Sequence, residues 1–206
     1  MLKTRAYKLF SIDPGDRTRL RSLAPIFAFS AALSIVLASA GKALFLSYND
    51  IDLLPWMFMG SAVFTVLVSI GYVYSMERFP VEFRFPVLLG VAGLSFLGLH
   101  FAFPSDPKLI SILIFVWCPA VGYLISVQAW NMSTATLPTR QAKRLMPVLA
   151  SIATLGAVVG GALVQVLTTF GGAAEDLILL AVALLLWPLI SVNQALRQLR
   201  SSPSDA

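Results

Sequence analysis

Cysteine, histidine and charge are all scarce in this chain. Of its 206 residues one is cysteine, one is histidine and 12% are charged. The single cysteine, Cys118, excludes a disulfide framework within the chain. A lone histidine, His100, with no cysteine or carboxylate spaced around it, leaves no ligand set for a metal. No serine or cysteine stands with a histidine and a carboxylate in an arrangement that would activate a nucleophile. The reading is therefore of a chain that is not an enzyme, holds no metal and uses no cofactor. Charge at about half of the roughly 25% usual in a soluble domain points away from water altogether.

What the sequence has instead is apolar length. Hydrophobic residues make up 58% of it, and the mean hydropathy is +0.83. A bilayer-crossing helix needs about 20 mostly apolar residues. Six windows meet that length: Leu23–Phe45, Pro55–Met76, Phe85–Phe103, Leu109–Trp130, Met146–Phe170 and Leu177–Leu196. Only the first contains a charge, Lys42 near its end, and none contains Asp or Glu. Short connections between them suit antiparallel neighbours. The expected fold is an all-α membrane protein of six transmembrane helices (23–196), with a basic N-terminal segment (1–22) and a polar tail (197–206) predicted to be disordered. In the leader, Pro14-Gly15 predicts a turn before the first span. Asp13, Pro14 and Asp16 set that leader apart from a signal peptide, so the first span is expected to be uncleaved.

Lys and Arg in the flanks orient such a bundle. Every basic residue except Lys42 and Lys108 falls in the N-terminal segment, the second and fourth connections or the tail, all on one side. Asp50, Asp52, Asp106, Glu175 and Asp176 lie on the other. Both termini are expected in the cytoplasm of a cell (inner) membrane, with the lipid bilayer as the first partner. The net charge of +5 follows from this asymmetry. Basic residues interleaved with stacking aromatics, as a nucleic-acid groove needs, are absent, and no nucleic-acid partner is expected.

The remaining signals are the positions that break the lipid rule. Gly156 and Gly160 form a G-x-x-x-G pair extended by Gly161, a packing face for another helix. Pro119, after Cys118, predicts a kink in the fourth span. Gly122 and Ser126 follow it on the same face, and Gln128 and Asn131 continue polar character towards the cytoplasm. Ser34 shares a face with Lys42, which either snorkels to the headgroups or turns inward to a ligand. Arg140, Lys143 and Arg144 anchor the fourth connection, where anionic headgroups attract each charge by about 1 kcal/mol; a site for an anionic ligand is the alternative. The want of a carboxylate inside the spans argues against proton coupling. The connection SMERFPVEFR, with Glu77, Arg78, Glu82 and Arg84, reads as a solvated turn.

Two strings are more specific. KALFLSYNDIDLLPW (Lys42–Trp56) resembles the end of the first span and the first loop of the nucleotide exchange carriers, the ATP/ADP antiporter-like branch of the major facilitator architecture. VQAWNMSTATLPTRQAKRLMPVLASIATLGAVVGGAL (Val127–Leu163) is similar to that family's fourth connection and fifth span. The resemblance implies the N-terminal half of a twelve-span bundle built from two halves of 3+3 inverted repeats. It implies a carrier of a nucleotide or similar anionic metabolite, acting as a homo-oligomer or with other membrane subunits. Lys42, Ser34, Gln128 and Asn131 would then be the substrate-binding residues, with Arg140, Lys143 and Arg144 at the cytoplasmic mouth. Relatives carry several charges just before ALFLS, where this chain has Ala40-Gly41-Lys42. The competing expectation is a non-transporting structural subunit that docks through its glycine face onto a larger membrane complex.

Overall fold

A computed structural model describes residues 14–78, 81–172, 174 and 176–185. They form helices α1 (Pro14–Tyr48), α2 (Leu54–Arg78), α3 (Val81–Ala102), α4 (Pro107–Thr136) and α5 (Thr139–Thr169), and a sixth helix, α6, described over Asp176–Leu185. A 3-10 turn, Ile51–Leu53, joins α1 to α2. Among the described residues there is no strand, and α1 to α5 are each long and apolar enough to cross a membrane. The second half of the sixth predicted span and the polar tail lie outside the described residues, as does the leader before Pro14.

The helix ends follow from local chemistry. Asp106 caps α4 by accepting the Leu109 N–H at 3.1 Å, and Pro107 fills the first position, where a missing N–H costs nothing. Pro138 separates α4 from α5. At the far end of α5, Gly171 takes φ of 80°, and the N–H groups of Gly171 and Gly172 donate to the carbonyls of Thr168 and Leu167. Glycine is the residue that adopts this left-handed helix stop without strain. The leader corrects one expectation. Pro14-Gly15 is no turn: the helix begins at Pro14 and runs unbroken into the first span. Proline suits a first helical position, and the overhang is fixed because Leu20 is buried and Arg19 donates from Nη1 to Gln141 Oε1 of α5. The connection SMERFPVEFR is likewise mostly helical, since α2 continues to Arg78 and α3 restarts at Val81.

Two seams organise the bundle around α1. On one side α1 runs antiparallel to α4. Phe27 meets Trp130 edge-on with centroids 4.7 Å apart, Ser34 lies against Gly122, Gly41 against Phe115, and Asn49 Nδ2 donates to Ser111 Oγ at 2.7 Å. A Cβ on Gly41 would come 3.3 Å from the Phe115 Cα. On the other side α1 runs parallel to α5 at closer range. A Cβ on Gly156 would overlap the Ala28 carbonyl oxygen, and one on Gly160 would lie 2.6 Å from that of Ala32. Both glycines are buried. Gly161 is not part of this seam: a Cβ there meets nothing within 4 Å among the described residues. Its direction on the helix, about 100° from Gly160, turns it away from α1.

The helices α2 and α3 attach on the far side of α4. Phe58 of α2 packs on Phe115 and Phe64 on Trp117, while Trp117 Nε1 donates to Ser95 Oγ of α3 at 2.8 Å. The alternation leaves Arg19, Arg21, Arg78, Arg84, Arg140, Lys143 and Arg144 at one end of the bundle and Asp50, Asp52 and Asp106 at the other.

Replacing Gly156 or Gly160 by Leu should separate α5 from α1. Overpacking costs about 1–3 kcal/mol where a core can yield and more against rigid backbone, so each substitution is expected to lower the melting temperature in mild detergent strongly. Gly161→Ala should leave melting within the error of the unsubstituted protein. Equal melting of all three variants would contradict the seam.

Candidate functional site

Hydroxyls set out a stripe on α2: Ser61, Thr65 and Ser69 recur at every fourth residue and share one face. Each donates back to its own helix, Ser61 to the Phe58 carbonyl at 2.9 Å, Thr65 to Ser61 at 2.7 Å and Ser69 to Thr65 at 2.6 Å. This local bonding satisfies the donors and lets hydroxyls sit in a membrane helix. The oxygens still have lone pairs to offer as acceptors.

The stripe lines one wall of a groove of about 620 Å³ between α2 and α4, whose other side includes Pro119 and Tyr123. That volume lies in the range of small-molecule sites, about 300–1,000 Å³. Helix α4 passes through Pro119 as one continuous helix, with the proline exposed to the groove. Tyr123 is 52% exposed, and its hydroxyl makes no hydrogen bond with a described residue. It stands near the middle of α4, roughly 20 Å from either end at 1.5 Å per residue. Among the described residues no Lys, Arg, Asp or Glu lines the groove. Just past the lining, Tyr72 donates its hydroxyl to Gln128 Oε1 at 2.7 Å. Gln128 is only 2% exposed, and its amide nitrogen has no partner among the described residues.

The residues expected to bind a substrate do not converge. Ser34 Oγ is 2.9 Å from the Ser30 carbonyl, 3.3 Å from that of Gly122 and 3.3 Å from Ser126 Oγ, inside the α1–α4 seam. Gln128 sits in the α2–α4 contact, and Asn131 is exposed. Lys42 is exposed, with its ammonium 6.0 Å from the centroid of the Phe58 ring, one turn beyond the end of the groove. By the pairing of α1 with α4 it lies roughly 20 Å along the bundle from Gln128. Arg140, Lys143 and Arg144 are exposed in the first two turns of α5, at the opposite end from Lys42. Among the described residues no three His, Cys, Asp or Glu side chains come together to hold a metal.

Charge in the sequence gives no sign of the groove. Its signal in the sequence was the Ser61-Thr65-Ser69 spacing, together with a tyrosine at mid-span, away from the interfacial belts where tyrosine is usual. The chain matches no protein-family model, no curated protein and no solved structure.

The Tyr72–Gln128 bond is testable by itself. Hydrogen bonds between membrane helices contribute about 0.6 kcal/mol on average. Tyr72→Phe should cost about that or slightly more, because it leaves the buried Gln128 amide wholly unpaired. In a double-mutant cycle Gln128→Leu should cost less in the Tyr72→Phe background than alone. Strict additivity of the two would show that the pair does not interact.

Proposed function

We propose that the chain forms one six-helix unit of a membrane carrier for a small polar metabolite, completed when a second such unit closes over the α2 and α4 face. The observation that carries this reading is the groove: a ligand-sized, largely apolar cleft beside the middle of α4, with Ser61, Thr65 and Ser69 along one wall, open where no other described helix covers it. Carriers of the major facilitator architecture place their site near the bilayer midplane between two such halves, and the strings Lys42–Trp56 and Val127–Leu163 resemble that architecture's nucleotide exchangers. By the positive-inside rule the basic end of the bundle faces the cytoplasm, which puts both termini there in a cell membrane. The basic residues of that end then gather anionic solutes and headgroups at the mouth, while the groove does the selecting.

One observation favours the second reading, a structural subunit. Helix α2 is the least covered of the described spans, with 6% of its apolar window buried, and so presents a face that no other described helix occupies. In that reading the docking face is α2 and not the glycine pair, which α1 already covers.

Cysteine labelling at Asn49 and at Thr139 reads the orientation: a membrane-impermeant reagent should reach Asn49→Cys from outside and Thr139→Cys only from inside. Equal labelling of both from outside removes the proposed topology.

Function is read from purified protein in liposomes, with its assembly state taken from native mass in mild detergent. The expected result is a dimer or larger carrier-like assembly that takes up labelled solute. Thr65→Leu, which fills the groove, should cut flux about tenfold or more, while Lys42→Ala, outside the lining, should change it less than about threefold. A chain that is always bound to other membrane proteins and moves no solute would establish the structural subunit instead.

A further inference from the structure

We infer that α2 is a swinging helix, hinged towards the acidic end of the bundle and latched towards the basic end by the Tyr72–Gln128 bond, so that its swing sets the width of the α2–α4 groove. This goes beyond the carrier reading and does not depend on what the groove takes. Burial is the starting point: 6% of the apolar window of α2 is buried, against 50% for α1 and 56% for α4. A cleft borders the helix on either side. The groove of about 620 Å³ runs along Val66 and Val73, and a second cleft of about 410 Å³ lies between Phe64, on the opposite side of α2, and Ser95, Leu113 and Trp117. The hydroxyls of α2 donate nothing to a neighbour, since Ser61, Thr65, Ser69 and Ser75 each bond to a carbonyl of α2 itself. Dispersion fades within an ångström of contact, and lipid supplies no hydrophobic drive. A span bordered by voids is therefore held at points and not along its length.

Those points are unequal at the two ends. In the half nearer the acidic end, Phe58 packs on Phe115 with centroids 5.4 Å apart and Phe64 on Trp117 at 5.8 Å, and Ser61 is buried. The 3-10 turn Ile51–Leu53 ties this end closely to α1, with the Leu53 N–H donating to the Asp50 carbonyl at 3.2 Å. Towards the basic end, one hydrogen bond joins α2 to α4 among the described residues, from the Tyr72 hydroxyl to Gln128 Oε1. A hydrogen bond between membrane helices shifts an equilibrium by about threefold on average, and a latch of that strength leaves the released state well populated. From Phe58 to Tyr74 the lever is about 24 Å long. A change of tilt of about 10°, small within the roughly 0–40° range of membrane helices, moves its far end by about 4 Å. The seam of α1 with α5 is the opposite case, because Gly156 and Gly160 set backbone on backbone there. The swing therefore belongs to α2, and α1 with α5 stays rigid beside it.

The test uses the full chain in membranes, with Cys118, its only cysteine and a buried one, replaced by Ala. Pairs of spin labels are placed on exposed positions, and their distance distributions are read by pulsed dipolar spectroscopy. Tyr74→Cys with Asn131→Cys reports the latched end of α2 against α4, and Met59→Cys with Leu113→Cys reports the hinged end. Arg21→Cys with Ser151→Cys spans the α1–α5 seam as the rigid control. The first pair is expected to show two components about 4 Å apart, and the other two pairs a single narrow one. Tyr72→Phe should raise the wide component of the first pair by about threefold and leave the other pairs unchanged. Gln128→Leu, which removes the same bond from the other side, should act in the same direction. A first distribution as narrow as that of the seam would show that α2 is fixed, by its own packing or by a partner over its open face, and would overturn the inference. So would a hinged end broader than the latched end, or a wide component that neither substitution moves. None of these results bears on whether liposomes take up solute, so the inference and the carrier reading fail separately.

Discussion

The contact of α5 with α1 at Gly156 and Gly160 is the constraint on which the rest of the bundle depends. In water, helices are driven together by their apolar faces, but lipid tails are as apolar as leucine and remove that drive. Association then rests on dispersion between closely matched surfaces and on a few hydrogen bonds. Dispersion is worth only about 0.1–0.2 kcal/mol per atom pair and fades within an ångström of optimal contact. Two glycines four residues apart let one backbone lie directly on Ala28 and Ala32 of the other. This places α1 between α5 and α4, and α4 in turn is what α2 and α3 attach to. Loosening the seam at one end would therefore be felt across the bundle.

Polar groups in the spans divide into two kinds with different consequences. Most hydroxyls bond back to their own helix, as Ser61, Thr65, Ser69 and Ser151 do, and so fix nothing between helices. A few cross between helices at separate depths: Asn49 to Ser111 near the acidic end, Trp117 to Ser95 and Ser34 with Ser126 further in, Tyr72 to Gln128 near the basic end. A helix held by packing alone can slide along its neighbour by a turn at small cost, because one apolar side chain replaces another. A buried hydrogen bond forbids the slide, since moving one turn leaves a donor and an acceptor unpaired. These crossing bonds therefore specify register, and the glycine seam supplies closeness.

The legible part of the fold was the part set by solvent. Long apolar windows and the separation of basic from acidic residues are consequences of moving chain from water to hydrocarbon, and both can be counted in a sequence. The windows fall on α1 to α5 with ends shifted by several residues. The largest shift is at α1, where Pro14-Gly15 reads as a turn but is the first position of a helix held by Leu20 and Arg19 against α5. Tertiary contact overrode local turn chemistry there. The groove is harder to read because charge does not mark it. Lys42, Ser34, Gln128 and Asn131 are polar positions that spacing alone cannot bring together, and the fold spreads them along α1 and α4. The α2 stripe is written in residues that are individually ordinary in membrane helices; only the presence of α4 opposite, with Tyr123 in the middle, turns it into a groove. Gly41 illustrates the same limit, since its contact with Phe115 depends on where α4 lies.

A division of labour between the ends and the middle of the bundle follows from how charge and hydroxyls behave at different depths. Seven described cations stand at one end, where water and headgroups keep them solvated and where their field reaches about 8–10 Å at physiological salt. The groove's centre lies beyond that reach in water, so the basic end concentrates anions at the surface without stabilising one at mid-depth. Only groups in the lining can replace the water a solute gives up on entering. Those groups are mostly apolar side chains, with the hydroxyls of Ser61, Thr65 and Ser69 among them already satisfied as donors. A largely apolar wall offers a polar solute little to replace its water, so it would hold one only weakly. A charged wall would discriminate more sharply, but it would also carry a desolvation penalty whenever the site stood empty of its counter-ion. In a bundle whose helices are held by contact and not by hydrophobic drive, a neutral groove is the form of polar site that costs the fold least.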